Sequence, residues 1–409
     1  MIADIALIIL LALILNFLFT KTGLPGILGM IAAGIILGPG FLNLVDKEIL
    51  KLLEEFKTAA LIVILIRAGL GINKKTLNKV GGPAVRMSFV PGILEGTMVM
   101  LAAHYMLGLS FIEGGMLGFI IAAVSPAVVV PQMLELKESG FGKKKEVPTL
   151  VLAGASLDDV FAITIFGVFI GLASGSAINP TQLLISVPLG IVLGAAIGAG
   201  IGFALVWFFK KVHIRDTKKV IIFMIIAVMF YELTELKEIK DIVPLAGLLG
   251  IMAIGFIILE KHSVLAKRLA TKFGKIWILA EVLLFVYIGT EVRISEIDSS
   301  IIGTGLLILL FGLITRSIGV WLALLGSKLF IKEKIFCMIA YLPKATVQAA
   351  IGAVPLAMFY QGKMTSMTEH TGQVILTIAV LSIIVTAPLG AIGIKLAGPK
   401  LLEKAETKQ

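Results

Sequence analysis

The chain is poor in the residues on which most soluble chemistry is built: of 409 residues one is cysteine, four are histidine and only 15% are charged. A lone cysteine, Cys337, excludes an internal disulfide. With so few histidines and one thiol, the pattern offers no metal-ligand cluster, no nucleophile–histidine pair and no nucleotide motif, so an enzyme is the least supported class and no cofactor is implied. The glycine-rich stretch Gly190-Ile-Val-Leu-Gly-Ala-Ala-Ile-Gly-Ala-Gly-Ile-Gly is followed by no Lys-Ser/Thr and is therefore no phosphate loop. It suits close helix packing at a scaffold or dimer face.

What fills the chain instead is apolar: 58% of residues are hydrophobic and the mean hydropathy is +1.05. Charged residues fall in short clusters between apolar runs of roughly 17–28 residues, the length that spans hydrocarbon as helix. Thirteen runs are predicted as helices, at 4–20, 25–41, 58–72, 83–107, 110–135, 147–174, 181–209, 219–235, 242–259, 274–290, 300–326, 334–360 and 371–397. The expected fold is an all-α polytopic membrane protein. The first run has Asp4 at its head and neither a basic leader nor a small-residue cleavage site, so it reads as a retained helix.

The net charge of +10 invites a nucleic-acid reading, which its distribution excludes. Of 36 Lys and Arg, 26 lie in or at the edges of alternate loops and in the tail, seven in the other loops (Lys47, Lys51, Lys57, Lys237, Lys240, Arg293, Lys363) and three, Arg67, Arg316 and Lys344, well inside apolar runs. By the positive-inside rule the N-terminus faces out and the C-terminus faces the cytoplasm. The basic excess is topology. Lysine-rich loops and a short tail suit a cell (inner) membrane, multi-pass.

Two runs carry prolines at matching places. The fifth holds Val124-Ser-Pro-Ala-Val-Val-Val-Pro, with Pro126 and Pro131; the twelfth holds Tyr341-Leu-Pro-Lys-Ala-Thr-Val-Gln-Ala-Ala-Ile-Gly-Ala-Val-Pro, with Pro343 and Pro355. Each proline removes a backbone donor and clashes with the preceding turn. The run before the first holds Glu95 and the run before the second holds Arg316, so runs 4–6 and 11–13 match with charges exchanged. An offset of seven helices makes the second triplet cross in the opposite sense. Paired interrupted helices in inverted repeats point to a midplane site of a secondary transporter.

Beside that crossing, the sixth run carries Asp158 and Asp159 in the otherwise apolar stretch Pro148 to Gly167. An ionised carboxylate at membrane depth costs about 2.5–3.5 kcal/mol on insertion scales, so an intramembrane acid marks an ion or proton path. Consecutive helical residues point about 100° apart. That favours division of labour: Asp159 meets the cation, while Asp158 is held by a hydroxyl, by backbone groups or by a basic residue. Carbonyls unwound near Val124 and Ser125, and the hydroxyl of Ser156, are expected to assist. Lys344 is placed to offset half-helix dipoles.

The stretches Leu65-Ile-Arg-Ala-Gly-Leu-Gly, Ala123-Val-Ser-Pro-Ala-Val-Val-Val-Pro, Ala155-Ser-Leu-Asp-Asp and Leu342-Pro-Lys-Ala-Thr-Val-Gln-Ala-Ala resemble those of the NHA-type sodium/proton antiporters, a two-aspartate branch of the monovalent cation:proton antiporter superfamily. The resemblance covers nearly the whole chain. It implies that Asp159 is the main cation and proton site, Asp158 its partner, Lys344 the residue balancing helix dipoles, and Glu95 with Arg316 a buried acid–base pair. It further implies a homodimer in membrane lipid, exchanging Na+ or Li+ for H+ by elevator-type alternating access. The implied division is scaffold and dimerisation helices 1–3 at 1–80, core helices 4–6 at 81–175, scaffold helices 7–10 at 176–299, core helices 11–13 at 300–398 and a cytoplasmic tail at 399–409. The tail is too short for the nucleotide-binding appendix of some potassium/proton relatives. Many two-aspartate members carry a lysine where this chain has Arg316, and arginine effectively never deprotonates, which weakens the usual inference of two protons per cation.

Other readings compete residue by residue. Glu95 and Arg316 can lock two helices together without carrying ions. Arg67 and Glu281 lie near run ends, where long side chains snorkel; His104 near an outer end faces the interface, and Glu291 closes a helix. At the level of function the alternatives are a K+/H+ antiporter, a Na+-coupled symporter of an organic solute, for which few spare polar residues are available, and a channel with an acidic ring.

Overall fold

The computed structural model describes every residue except 1, 23, 73, 175–179, 241–244, 291–298, 365–366 and 405–409. Its helices are α1 (Ile2–Lys21), α2 (Gly26–Leu37), α3 (Lys47–Gly71), α4 (Lys74–Met87), α5 (Val90–Leu107), α6 (Phe111–Ile121), α7 (Pro126–Glu138), α8 (Val147–Ala173) and α9 (Pro180–Lys211). There follow α10 (Asp216–Glu235), α11 (Lys237–Lys240), α12 (Gly247–Lys261), α13 (Ser263–Thr290), α14 (Ser299–Ala323), α15 (Ile331–Ala340), α16 (Thr346–Ile351), α17 (Val354–Tyr360) and α18 (Glu369–Leu401). Among the described residues the β pairing is one isolated bridge, Phe141 with Lys404. Among the described residues eight helical segments are long and apolar enough to cross a membrane, and this is a multi-pass membrane protein.

Every apolar run falls on helix where its residues are described (242–244, at the head of the ninth, lie outside them), and the differences lie at breaks and ends. The fifth run divides into α6 and α7, and the twelfth into α15, α16 and α17. The fourth divides too, which its hydropathy did not suggest: α4 stops at Met87 and α5 starts at Val90. Pro91 is the physical reason, since it lacks an N–H and its ring crowds the carbonyl of residue 87. Ser88 closes the break, its Oγ donating to Val85 O at 2.6 Å. The third run gains an amphipathic lead, because Lys47–Lys57 alternates charge with Ile49, Leu50, Leu52 and Leu53 at helical spacing.

The chain forms two compact units, the first of residues 1–50, 80–178 and 285–409, the second of 51–79 and 179–284. In the second, α9 lies against α12 along the glycine-rich stretch: a Cβ on Gly198 would run into Gly250 O, and one on Gly194 would come within 2.8 Å of Ala246 O. Lipid is as apolar as a side chain, so small residues that let backbones touch are what holds such helices together.

In the first unit, α5 packs between α6 and α14, and α8 and α18 flank α6. A Cβ on Gly118 would run into Gly96 O, so α5 and α6 meet backbone to backbone. Val99, Met116, Leu117, Ile120, Ile308 and Ile378 pack around them. This packing carries the two broken helices past each other: Ser125 N, at the first break, donates to Pro343 O, at the second, at 2.8 Å.

Candidate functional site

The first break runs from Ala122 to Ser125, ending where Pro126 begins α7 at a position that needs no N–H. The second runs from Tyr341 to Ala345. Unwound backbone inside a bilayer is tolerated only if its polar groups find partners. Here they find them in each other and in a few side chains. Gln348 Nε2, on α16, donates to Ile120 O at 2.9 Å and Ala123 O at 3.0 Å. Arg316, on α14, donates to Ala122 O and, through Nε, to Tyr341 O at 2.5 Å. Val124 N donates to Asp158 Oδ2 at 2.7 Å, and Lys344 N to Thr386 Oγ1 at 2.9 Å.

Arg316 is the hub of this arrangement. Its guanidinium touches both breaks, and it also donates to Glu95 Oε2 at 2.5 Å and to Asp158 Oδ2 at 2.9 Å. Lys344 Nζ donates to the same Glu95 oxygen at 2.6 Å. Arg316, Lys344 and Glu95 are 0% exposed and Asp158 1%. Only a planar fork with several donors can serve four acceptors on four segments at once. Gly312 and Gly319 bring α14 close enough to α5, for a Cβ at either would press on Val99 or Pro91.

The two aspartates divide as their 100° separation requires. Asp158 turns to the first break, where Oδ2 accepts from a backbone N–H and from Arg316, while Oδ1 stands unpartnered near Gly92. Asp159 is half-buried, and its Oδ1 is a buried atom with no hydrogen-bond partner. The sequence-selected residues Glu95, Val124, Asp158, Arg316 and Lys344 are thus in direct contact in one cluster. Ser125 is buried beside it, its Oγ 3.5 Å from Thr346 Oγ1. The side chain of Ser156 lies outside the described residues, as does Glu291.

Two placements were not foreseen. Lys344 directs its ammonium to Glu95, and the carbonyls at the end of α6 are taken by Gln348. Tyr341, in the second break, supplies a carbonyl to Arg316 and sets its ring under the guanidinium, 5.3 Å from centroid to Cζ. Gln348 and Tyr341 stand inside the Tyr341–Pro355 motif, but neither charge nor periodicity singles them out. Away from the cluster, His104 stacks on Phe111 at 4.1 Å and contacts Leu109 O through Nδ1 at 2.7 Å, closing the turn between α5 and α6. Among the described residues no group of three or more His, Cys, Asp or Glu is placed to hold a metal ion of the multiligand kind.

The cluster joins three carboxyl groups to two basic ones, with oxygen lone pairs left open. That composition can hold a proton or a small cation. Comparison with known proteins gives the same direction. A family model described as the transmembrane part of sodium/hydrogen exchangers matches residues 6–397. Sodium/hydrogen exchanger 9B2 of Homo sapiens is 36% identical over 95% of this chain and 71% of its own, and that of Xenopus tropicalis 36% identical over 86% and 64%. This chain therefore spans about two thirds of the length of those relatives. Two solved structures of the sodium proton antiporter MjNhaP1 from Methanocaldococcus jannaschii share the fold, with TM-scores of 0.75 and 0.80 at 22% and 19% identity, covering 97% and 100% of this chain and 98% and 99% of theirs. With the family model spanning nearly the whole chain, the protein belongs to the sodium/hydrogen exchanger family, whose members are transporters rather than enzymes.

Proposed function

We propose that the chain is a secondary antiporter exchanging Na+ or Li+ for H+, with Asp159 as the group for which cation and proton compete. The observation that carries this reading is the asymmetry of the Asp pair. Asp158 Oδ2 is saturated by Val124 N–H and Arg316, whereas Asp159 Oδ1 is buried and open. A buried carboxylate oxygen without a donor is a costly feature that a transported ion relieves. Asp158 then acts as the fixed neighbour whose charge helps to hold a cation, and Glu95, Arg316 and Lys344 keep the remaining charges balanced.

Transport follows from that balance. With all five groups charged the cluster carries one excess negative charge, which opposes its movement through hydrocarbon; with a proton or a monovalent cation added it is neutral. Coupled exchange needs only that the loaded site move and the empty one not. The proposed movement is an elevator-type displacement of residues 81–175 and 300–398 against scaffold segments 1–80 and 176–299 in a homodimer. The proposed setting is the cell membrane with the N-terminus outside and the C-terminus in the cytoplasm, as the basic loops direct. A K+/H+ antiporter would use the same residues.

The test is exchange in proteoliposomes, following a pH-sensitive dye on addition of Na+, Li+ or K+, for wild type and Asp159→Asn. Cation-evoked proton movement absent from the variant is the expected result. Full activity in Asp159→Asn would refute the assignment. No response in wild type would bring forward a Na+-coupled symporter.

A further inference from the structure

A groove of about 460 Å³ opens where α15 begins and α18 ends, both in the first unit. Lys328, Lys332 and Lys334 precede the apolar part of α15, and Lys395 and Lys400 close that of α18, so the groove lies at the edge of the hydrocarbon. Phe330, Ile331, Leu401 and Leu402 line it together with Lys332 and Lys400. Two acids also reach it, and each is engaged by a lysine from outside the groove. Glu333 accepts from Lys145 Nζ at 2.9 Å and from Phe330 N at 2.7 Å, while Glu403 is paired with Lys144 at 3.6 Å. Lys332 and Lys400 are exposed and have no acidic partner among the described residues. The groove therefore presents two unopposed positive charges.

Its apolar side is open as well. Phe330 is 60% and Ile331 65% exposed. On α18, Leu389 and Leu396 are 57% and 56% exposed and stand seven residues apart, with Lys400 four residues further on. At helical spacing these three share one face, so an exposed apolar stripe runs down α18 and ends on an ammonium at the groove. A free anion would use the lysines and not the stripe; a neutral lipid would use the stripe and not the lysines.

We propose that the groove binds an anionic phospholipid, its phosphate between Lys332 and Lys400 and an acyl chain along Leu396 and Leu389. Basic pockets between membrane helices at head-group level suit such lipids. The place gives the contact a consequence. α15 leads into the second break and α18 braces it, since Lys344 N donates to Thr386 Oγ1 at 2.9 Å and Pro343 packs on Gly390. A lipid held by both helices ties their ends together and steadies that break, whichever ion is exchanged.

The experiment is thermal unfolding of the full-length, delipidated protein in detergent, titrated with phosphatidylglycerol, with phosphatidylcholine of the same acyl chains, and with inorganic phosphate. A ligand of the folded state raises the unfolding temperature as its concentration rises. Phosphatidylglycerol should do so at concentrations where the other two do not. Lys332→Gln and Lys400→Gln should each weaken its apparent binding about fivefold, and the double variant about 25-fold. Both side chains are exposed, so without lipid the variants should unfold at the wild-type temperature. Ile331→Ser should also weaken phosphatidylglycerol binding, whereas Lys267→Gln, which removes the same charge from the second unit, should leave it unchanged. Equal stabilisation by phosphatidylcholine, or unchanged binding in the double lysine variant, would overturn the proposal. Inorganic phosphate protecting as well as the lipid would make the groove a plain anion site and overturn the lipid assignment.

Discussion

Glu95→Gln is the sharpest test of how the cluster is held. The substitution keeps the shape of the side chain and removes its charge. Glu95 Oε2 accepts from both Arg316 at 2.5 Å and Lys344 at 2.6 Å, and all three residues are fully buried. Removing one member of a buried ion pair costs about 3–5 kcal/mol, because the partner stays behind uncompensated. Here two cations are left facing the aspartates alone. Against a total stability on the order of 5–15 kcal/mol the loss is large. The geometry also ranks the members. Arg316 makes four hydrogen bonds to four segments, Glu95 holds two cations, and Lys344 holds one carboxylate that Arg316 also serves. Loss of stability should therefore fall in the order Arg316→Met, Glu95→Gln, Lys344→Met. In the double variant Glu95→Gln with Lys344→Met one unpaired cation disappears. It should be more stable than the sum of the singles by a coupling of about 0.5–3 kcal/mol. Thermal unfolding in detergent, followed by tryptophan fluorescence, measures all four. Wild-type stability in Glu95→Gln, or strict additivity in the double variant, would show that the pair is not what holds α5 to α14.

Two further substitutions probe the neighbours. Arg316→Lys keeps a charge but has only three N–H donors and no fork, so at least one of the four acceptors loses its donor, at about 1–3 kcal/mol; a buried lysine can also release its proton, and exchange should depend more on membrane voltage than it does in wild type. Voltage-clamped proteoliposomes read this directly, and an exchange equally insensitive to voltage in both proteins would count against it. Gln348→Leu strips Ile120 O and Ala123 O of their donor, for a loss of about 2 kcal/mol or more in unfolding measurements; stability equal to wild type would mean that other groups reach those carbonyls.

The breadth of what the sequence disclosed follows from how a bilayer constrains a chain. Apolar runs, prolines and intramembrane charges are scarce and dear in hydrocarbon, so each marks its place with few alternatives. The breaks before Pro126 and around Pro343, and the meeting of Glu95, Asp158 and Arg316, were legible for that reason. The break at Ser88 was not, since a proline near the end of an apolar run reads equally as a helix start. Nor were the roles of Gln348 and Tyr341 legible. A neutral amide or phenol costs little enough at membrane depth to occur without meaning, and only the neighbouring backbone shows that Gln348 serves carbonyls and that the Tyr341 hydroxyl stands alone. A dipole end and a carboxylate both call for an ammonium, so spacing alone does not give the contact of Lys344 with Glu95, which only the fold shows.

The presence of arginine at position 316 ties the two halves of the proposed mechanism together. One group must hold two unwound segments, Glu95 and Asp158 in register while ions come and go, and a group that could lose its proton would loosen that frame in every cycle. Arginine keeps its charge, so the frame is constant and the variable charge is confined to the Asp pair. Lys344, the other base of the cluster, is bound to Glu95 within that frame. On the reading proposed above, with Arg316 fixed and Lys344 engaged, Asp159 is the group that gives up a proton when the cation binds, and voltage-clamped exchange that does not respond to membrane potential is the outcome this division predicts.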